Sequence, residues 1–160
     1  MELECHDDDG DILRHREGIT VRPRYETQED RDNELSVVNA LQLSGFTLYK
    51  LPISYRLDYI MFRDGKLLGF VEIKTRKHKH DKYPSLMIAL SKVMAAKQLA
   101  TATQTKSVLM VKYDDGIFGI NFQTPHVVSV GGRSDRSDNS DIEPCAFYDI
   151  KHLKLIVSTH

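Results

Sequence analysis

No stretch of this 160-residue chain is apolar for long enough to span a bilayer, and its start carries no basic-then-apolar leader. Membrane-spanning and exported classes are therefore not expected. Cysteine is scarce. Cys5 and Cys145 sit far apart in polar ends of the chain, without metal-type spacing, so a reduced intracellular compartment, the cytoplasm, is the expectation. An excess of one charge is also missing. Lys and Arg number 22 against 23 Asp and Glu, a formal net charge of -1. The molecule is not a polycation, and any nucleic-acid binding must come from a local basic patch. No internal repeat is visible. What remains is the composition of an ordinary globular protein, 41% hydrophobic and 28% charged, in a chain long enough for one domain with a sizeable core.

Residues 1–20 are polar, carry the acidic run Asp7-Asp8-Asp9, and read as a loosely ordered arm ahead of a single domain over 21–160. From Thr27 to Ser44 apolar Leu35, Val38 and Leu41 recur at helical steps, with Thr27 the expected cap, Asp30 its capping-box partner and Gly45 the terminator. Strands are expected over Phe46 to Leu51, Tyr55 to Phe62 and Leu67 to Thr75, the last two joined by the turn Arg63-Asp64-Gly65-Lys66. A basic loop follows from Arg76 to Lys82. Tyr83-Pro84-Ser85 then leads into a second helix of roughly twenty residues ending near Thr103, with Leu86, Leu90, Val93 and Leu99 as core. Val108 to Tyr113 and Ile117 to Phe122 form a hairpin about Asp114-Asp115-Gly116. Residues 131–143 read as a polar, mobile loop, and the tail from Ala146 to Val157 as docking back on the core. The second and third strands are apolar on both faces and want cover on both. Leu57, Tyr59 and Met61 are expected on one side, Asp58, Ile60 and Phe62 on the other. The fold class is α/β: a three-layer sandwich with a central mixed β-sheet flanked by helices.

Within the segment RLDYIMFRDGKLLGFVEIKTRK, Asp58, Glu72 and Lys74 stand on strands that otherwise read as buried. An unpaired charge in a core costs several kcal/mol or more. Period-two alternation puts Glu72 and Lys74 on one face, and a hairpin brings Asp58 near Glu72. Two buried carboxylates repel one another unless a cation joins them. A hard divalent ion with oxygen ligands fits this need, with the Ile73 carbonyl as a further ligand between the two side chains. Lys74 then stands where an ammonium can orient a water or neutralise a phosphate. A buried Asp58–Lys74 salt bridge is the plain alternative, but it leaves Glu72 unexplained.

Asp58 and Glu72-Ile73-Lys74 on a hairpin, with a helix before and a helix after, resemble the PD-(D/E)xK nuclease superfamily. More narrowly they resemble small phage and bacterial endonucleases of the virus-type and Holliday-junction-resolvase-like branch, over roughly Arg31 to Phe122. The resemblance implies Mg²⁺ or Mn²⁺ held by Asp58, Glu72 and the Ile73 carbonyl, with Lys74 serving the attacking water. It also implies an assisting acid on the first helix at Glu34, and a site glutamine on the following helix at Gln98. Leu57 replaces the proline of the family name. Ala102 stands where exonuclease-like branches have tyrosine. The implied activity is metal-dependent endonucleolytic hydrolysis of DNA, with branched or junction substrates in view. A homodimer stands as an option by analogy, because symmetric cleavage of two strands calls for two-fold related sites.

Lys74, Arg76, Lys77, Lys79 and Lys82 crowd the mouth of this site, with Tyr83 available to stack on a base or sugar. The ordinary reading of such a run is a solvated loop. His78-x-His80 lacks the second ligand pair of a tetrahedral zinc site. Lys92 and Lys97 read as surface or backbone-phosphate contacts. Two rival classes remain: a catalytically inactive DNA-binding or assembly module on the same fold, and an α/β domain with a buried ion network. The turn decides whether a metal site forms at all. A simple two-residue Asp64-Gly65 turn would pair Asp58 with Val71 and put it on the face opposite Glu72. Asp58 reaches Glu72 only if the loop has an odd number of residues, as with Arg63 opposite Leu67, or if a strand carries a bulge. In that register Asp58, Ile60 and Phe62 share a face with Leu68, Phe70, Glu72 and Lys74.

Overall fold

The computed structural model describes residues 27–132 and 142–159. The expected N-terminal arm and positions 133–141 of the polar loop lie outside the described residues. Helix α1 (Gln28–Leu43) starts at Thr27, whose side chain accepts from the Asp30 backbone while the Asp30 carboxylate accepts from Thr27, the reciprocal capping box expected from sequence. Strands β1 (Thr47–Lys50), β2 (Tyr59–Arg63) and β3 (Lys66–Thr75) follow. After them come β4 (Ser85–Ala89), helix α2 (Leu90–Thr103), β5 (Lys106–Tyr113), β6 (Gly116–Asn121), β7 (Val127–Gly131), β8 (Glu143–Asp149) and β9 (Lys154–Ser158).

Six strands form a mixed sheet in the order β1-β2-β3-β5-β6-β9, in which only β3 and β5 pair in parallel. Helix α1 covers one face, with Val37, Val38 and Leu41 against Met61, Val71, Ile73 and Met110. The other face carries Phe70, Leu109 and Val111 against Val93 and Ala96 of α2 and Ala146 and Tyr148 of β8. The α/β sandwich expected from sequence is therefore present, but its third layer is α2 together with a small antiparallel sheet, β4-β8-β7.

That small sheet corrects the sequence reading of residues 83–103. Ser85–Ala89 is a strand, and the helix has 14 residues rather than about twenty. Leu86 and Ile88 are buried while Met87 between them is exposed, a period of two. The ladder that fixes this segment comes from β8, with Met87 opposite Phe147. A partner so far downstream leaves no local signal, whereas Leu86, Leu90 and Val93 also satisfy a helical spacing. The apolar tail does dock on the core, as β8 and β9. The second strand begins at Tyr59 rather than Tyr55, because Ile53–Tyr55 is a 3-10 turn closed by Arg56 in the left-handed region (φ 62°). This turn breaks the alternation. Leu57 packs in the cluster with Phe70, not beside Tyr59 and Met61.

The hairpin turn is the two-residue one. Asp64 and Gly65 have φ of 50° and 72°, and Arg63 pairs with Lys66 and Phe62 with Leu67. The ladder then slips by one residue: Met61 pairs with Gly69, Ile60 with Phe70 and Tyr59 with Val71. Leu68 is the extra residue of a β-bulge. Before Tyr59 the ladder is irregular: the Asp58 N–H donates to the Val71 carbonyl and its carboxylate reaches the Ile73 N–H, so Asp58 lies beside the Glu72-Ile73-Lys74 segment. Leu68 itself turns to the α1 side, against the cluster of Val71 and Met61, so it does not share the Phe70 face as expected. Gly69 permits the slip. At φ 152°, a Cβ there would lie 1.9 Å from the Lys106 carbonyl oxygen on the neighbouring β5.

Candidate active site

Glu72 is wholly buried, as expected of its place in an apolar strand, yet it carries an acid. Lys92 Nζ, from the first turn of α2, donates to its Oε2 at 3.0 Å. Lys74 Nζ lies 2.9 Å from Oε1. That contact is at ion-pair distance but off the hydrogen-bonding direction, and Oε1 is the buried side-chain polar atom left without a hydrogen bond among the described residues. A buried carboxylate oxygen with an ion-pair contact but no hydrogen bond is incompletely satisfied and can take a further ligand.

Asp58 sits beside this group. Its Oδ2 accepts from the Ile73 backbone N–H at 2.8 Å, and its own N–H donates to the Val71 carbonyl at 3.0 Å. Burial raises its pKa above the ordinary carboxylate value, the Glu72 charge raises it further, and the Ile73 hydrogen bond offsets part of the rise. Strand alternation fixes the Ile73 carbonyl too. Val71 and Ile73 address the β2 side, whereas the Arg76 N–H goes to Lys112 on β5. The Ile73 carbonyl thus points to the side where Asp58 lies, past the start of β2. Glu34, on α1, accepts from the Tyr59 hydroxyl at 2.7 Å and ion-pairs with Lys50.

These groups line one cleft of about 310 Å³. Asp30, Glu34, Asp58 and Glu72 supply carboxylates to it, and Lys74, Arg76 and Lys92 supply positive charge. Two converging carboxylates, one with an oxygen that lacks a hydrogen bond and one whose ionisation is opposed by the other, fit a hard divalent cation well.

The basic run is anchored rather than loose. The His80 backbone N–H donates to Asp115 Oδ1 at 3.0 Å, its Nδ1 meets Asp115 Oδ2 at 2.6 Å, and its ring stacks on Phe118 at 4.3 Å. Arg76 lines the cleft, whereas Lys77 is held by Glu29 at 2.6 Å. Lys79, Lys82 and Tyr83 face solvent, with the Lys82 ammonium over the Tyr83 ring. His80, Asp81 and Asp115 have ligand atoms within 4.8 Å of one another. His78 is not among them, and the group lies outside the residues lining the cleft.

Gln98 is exposed and does not line the cleft. It stands six residues after Lys92 on α2, about 240° round the helix. Lys92 takes the place that the sequence reading gave to Gln98. Its one sequence signal, a cation between Leu90 and Val93 in an apolar helix, points to the cleft only once the helix is known to start at Leu90. Asp30, read from sequence as a cap, also borders the cleft.

Residues 20–156 match the family model described as "Phage putative PDDEXK endonuclease". The chain belongs to this family. Among solved structures, this endonuclease-family chain is similar to Hjc of Archaeoglobus fulgidus, a Holliday junction resolvase from an archaeal hyperthermophile. The TM-score is 0.57 at 14% identity, over 80% of this chain and 92% of that one. At that identity the likeness is one of fold. No curated protein matches the chain.

Proposed function

We propose that this PD-(D/E)xK chain is a Mg²⁺- or Mn²⁺-dependent endonuclease that hydrolyses phosphodiester bonds in DNA. The observation that carries the proposal is the convergence of Asp58 on the fully buried Glu72, one of whose oxygens has an ion pair to Lys74 but no hydrogen bond. In this reading Asp58, Glu72 and the Ile73 carbonyl hold the cation. When bound, the cation supplies Lewis-acid stabilisation of the phosphate and an acidified water. Lys74 orients that water for in-line attack and balances charge on the phosphate. Glu34, steadied by Tyr59 and Lys50, assists from α1 as a further acid. Arg76, Lys79, Lys82 and Tyr83 bind the DNA backbone and an unstacked base, with Lys77 joining once released from Glu29. Gln98 has no role in this reading.

The fold likeness to a Holliday junction resolvase favours branched DNA as the preferred substrate, and paired cuts on a junction favour a homodimer. A second reading, a structural ion network, is favoured by the two ammoniums on Glu72. One experiment separates these. Purified protein is incubated with supercoiled, linear, single-stranded and four-way-junction DNA in Mg²⁺, Mn²⁺ or chelator, and its mass in solution is measured. Cleavage that needs the metal and is strongest on the junction supports the proposal. DNA binding without cleavage would assign the inactive module instead, and neither metal nor DNA binding would leave the structural network.

A further inference from the structure

Lys92 is the positively charged group of the cleft that the mechanism above leaves unused. Its ammonium makes two bonds, to Glu72 Oε2 at 3.0 Å and to the Arg56 carbonyl. Arg56 is the left-handed residue that closes the turn just before Asp58. One side chain from α2 thus ties Glu72 to the backbone that delivers Asp58. Lys74 ion-pairs with the other Glu72 oxygen at 2.9 Å, so Lys92 is one of two counter-ions of this buried acid, and the one that also holds the Arg56 carbonyl. Removing a partner from a buried charge is unfavourable. The same ammonium also stands against the arrival of a divalent cation: it offsets the carboxylate charge that would attract the cation and repels a second positive charge at close range.

We propose that Lys92 is a resident counter-ion of Glu72 in the DNA-free protein, and that its transfer to a DNA phosphate couples cation uptake to DNA binding. The inference rests on the metal-dependent reading given above. The Lys92 side chain is 32% exposed and borders the same cleft as Arg76. A phosphodiester entering that cleft offers the ammonium new anionic acceptors within reach of a flexible four-carbon stem. Glu72 is then free for the cation. Because coupling between two binding events is reciprocal, cation and DNA each tighten the binding of the other by one factor.

Mn²⁺ is titrated into the wild type, Lys92→Met and Lys92→Arg, each alone and saturated with a phosphorothioate-linked duplex that resists hydrolysis. The wild type should bind Mn²⁺ more tightly with DNA, by a factor within the ~5- to 150-fold typical of coupled sites. Lys92→Met should bind Mn²⁺ at least about 5-fold more tightly than wild type without DNA, and DNA should then add little. Lys92→Arg, which keeps the charge, should behave as wild type. Thermal melts establish that each variant is folded; if Lys92→Met is not, Lys92→Gln is measured against the same outcomes. Mn²⁺ affinity in the DNA-free neutral variant equal to or weaker than wild type, or an undiminished effect of DNA in it, overturns the role of Lys92 and leaves the nuclease reading standing. Failure of every form to bind Mn²⁺, with or without DNA, overturns both.

Discussion

Asp58 Oδ2 accepts its 2.8 Å hydrogen bond from the N–H of Ile73, the residue that separates Glu72 from Lys74. The acid just ahead of β2 is therefore held to the backbone of the β3 motif. Any motion that carries Ile73 carries Asp58, Glu72 and Lys74 together. This lock depends on the one-residue slip at Leu68. Without the slip Asp58 would face away from Glu72.

Lys74→Ala should lower cleavage by at least about 100-fold, the usual contribution of one preorganised charge-stabilising group, while calorimetry shows Mn²⁺ binding largely retained. Glu72→Gln should weaken both. The melting temperature of either variant should stay near that of wild type or rise, since functional charges seldom add stability. Wild-type cleavage by Lys74→Ala would end its assignment.

The raised pKa of Asp58 makes a prediction with a definite sign. Its folded-state value lies above its unfolded value, so the folded protein holds the proton more tightly. The stabilising contribution is fully present below the ordinary carboxylate pKa and is lost as pH climbs through the raised one. Asp58→Asn keeps an oxygen for the Ile73 N–H but never ionises. Its melting temperature should exceed that of wild type at neutral pH, and the gap should close in acid. A gap that is constant with pH would contradict the assigned burial and Glu72 repulsion.

Gly69→Ala tests the bulge. An added Cβ would meet the Lys106 carbonyl oxygen at 1.9 Å, and that neighbour is backbone, not a side chain that can swing away. A loss of about 3 kcal/mol is expected in denaturant unfolding. Gly65→Ala should cost less, because nothing lies within 4 Å of its added atom and only the positive φ is strained. Equal losses would mean that the close approach of β5 does not fix the register.

In the basic loop, Arg76→Ala and Lys79→Ala should each reduce the salt dependence of DNA binding by about one unit of log-log slope for each phosphate left without its cation. Lys77→Ala should have a smaller effect, because Glu29 already neutralises that ammonium. Metal affinity should be unchanged in Lys77→Ala and Lys79→Ala, whose side chains do not line the cleft. An unchanged slope in Arg76→Ala would mark the run as a solvated loop.

The sequence by itself determined what is local. The Thr27–Asp30 box starts α1, Arg63-Asp64-Gly65-Lys66 marks a turn whose length it left open, Asp114-Asp115-Gly116 marks the β5–β6 hairpin, and alternation puts Glu72 and Lys74 on one face. Each follows from neighbours a few residues apart, where backbone preference and period suffice. The tertiary structure decided the rest. Ser85–Ala89 became a strand because β8 offers a ladder from far along the chain. The slip at Leu68 was decided by the approach of β5 to Gly69, one of two ways the sequence left open for Asp58 to reach Glu72. Lys92 entered the cleft, and Gln98 left it, once β4 moved the helix start to Leu90. Short-range periodicity names the charged residues of the cleft, but their meeting depends on contacts between segments that the sequence holds apart.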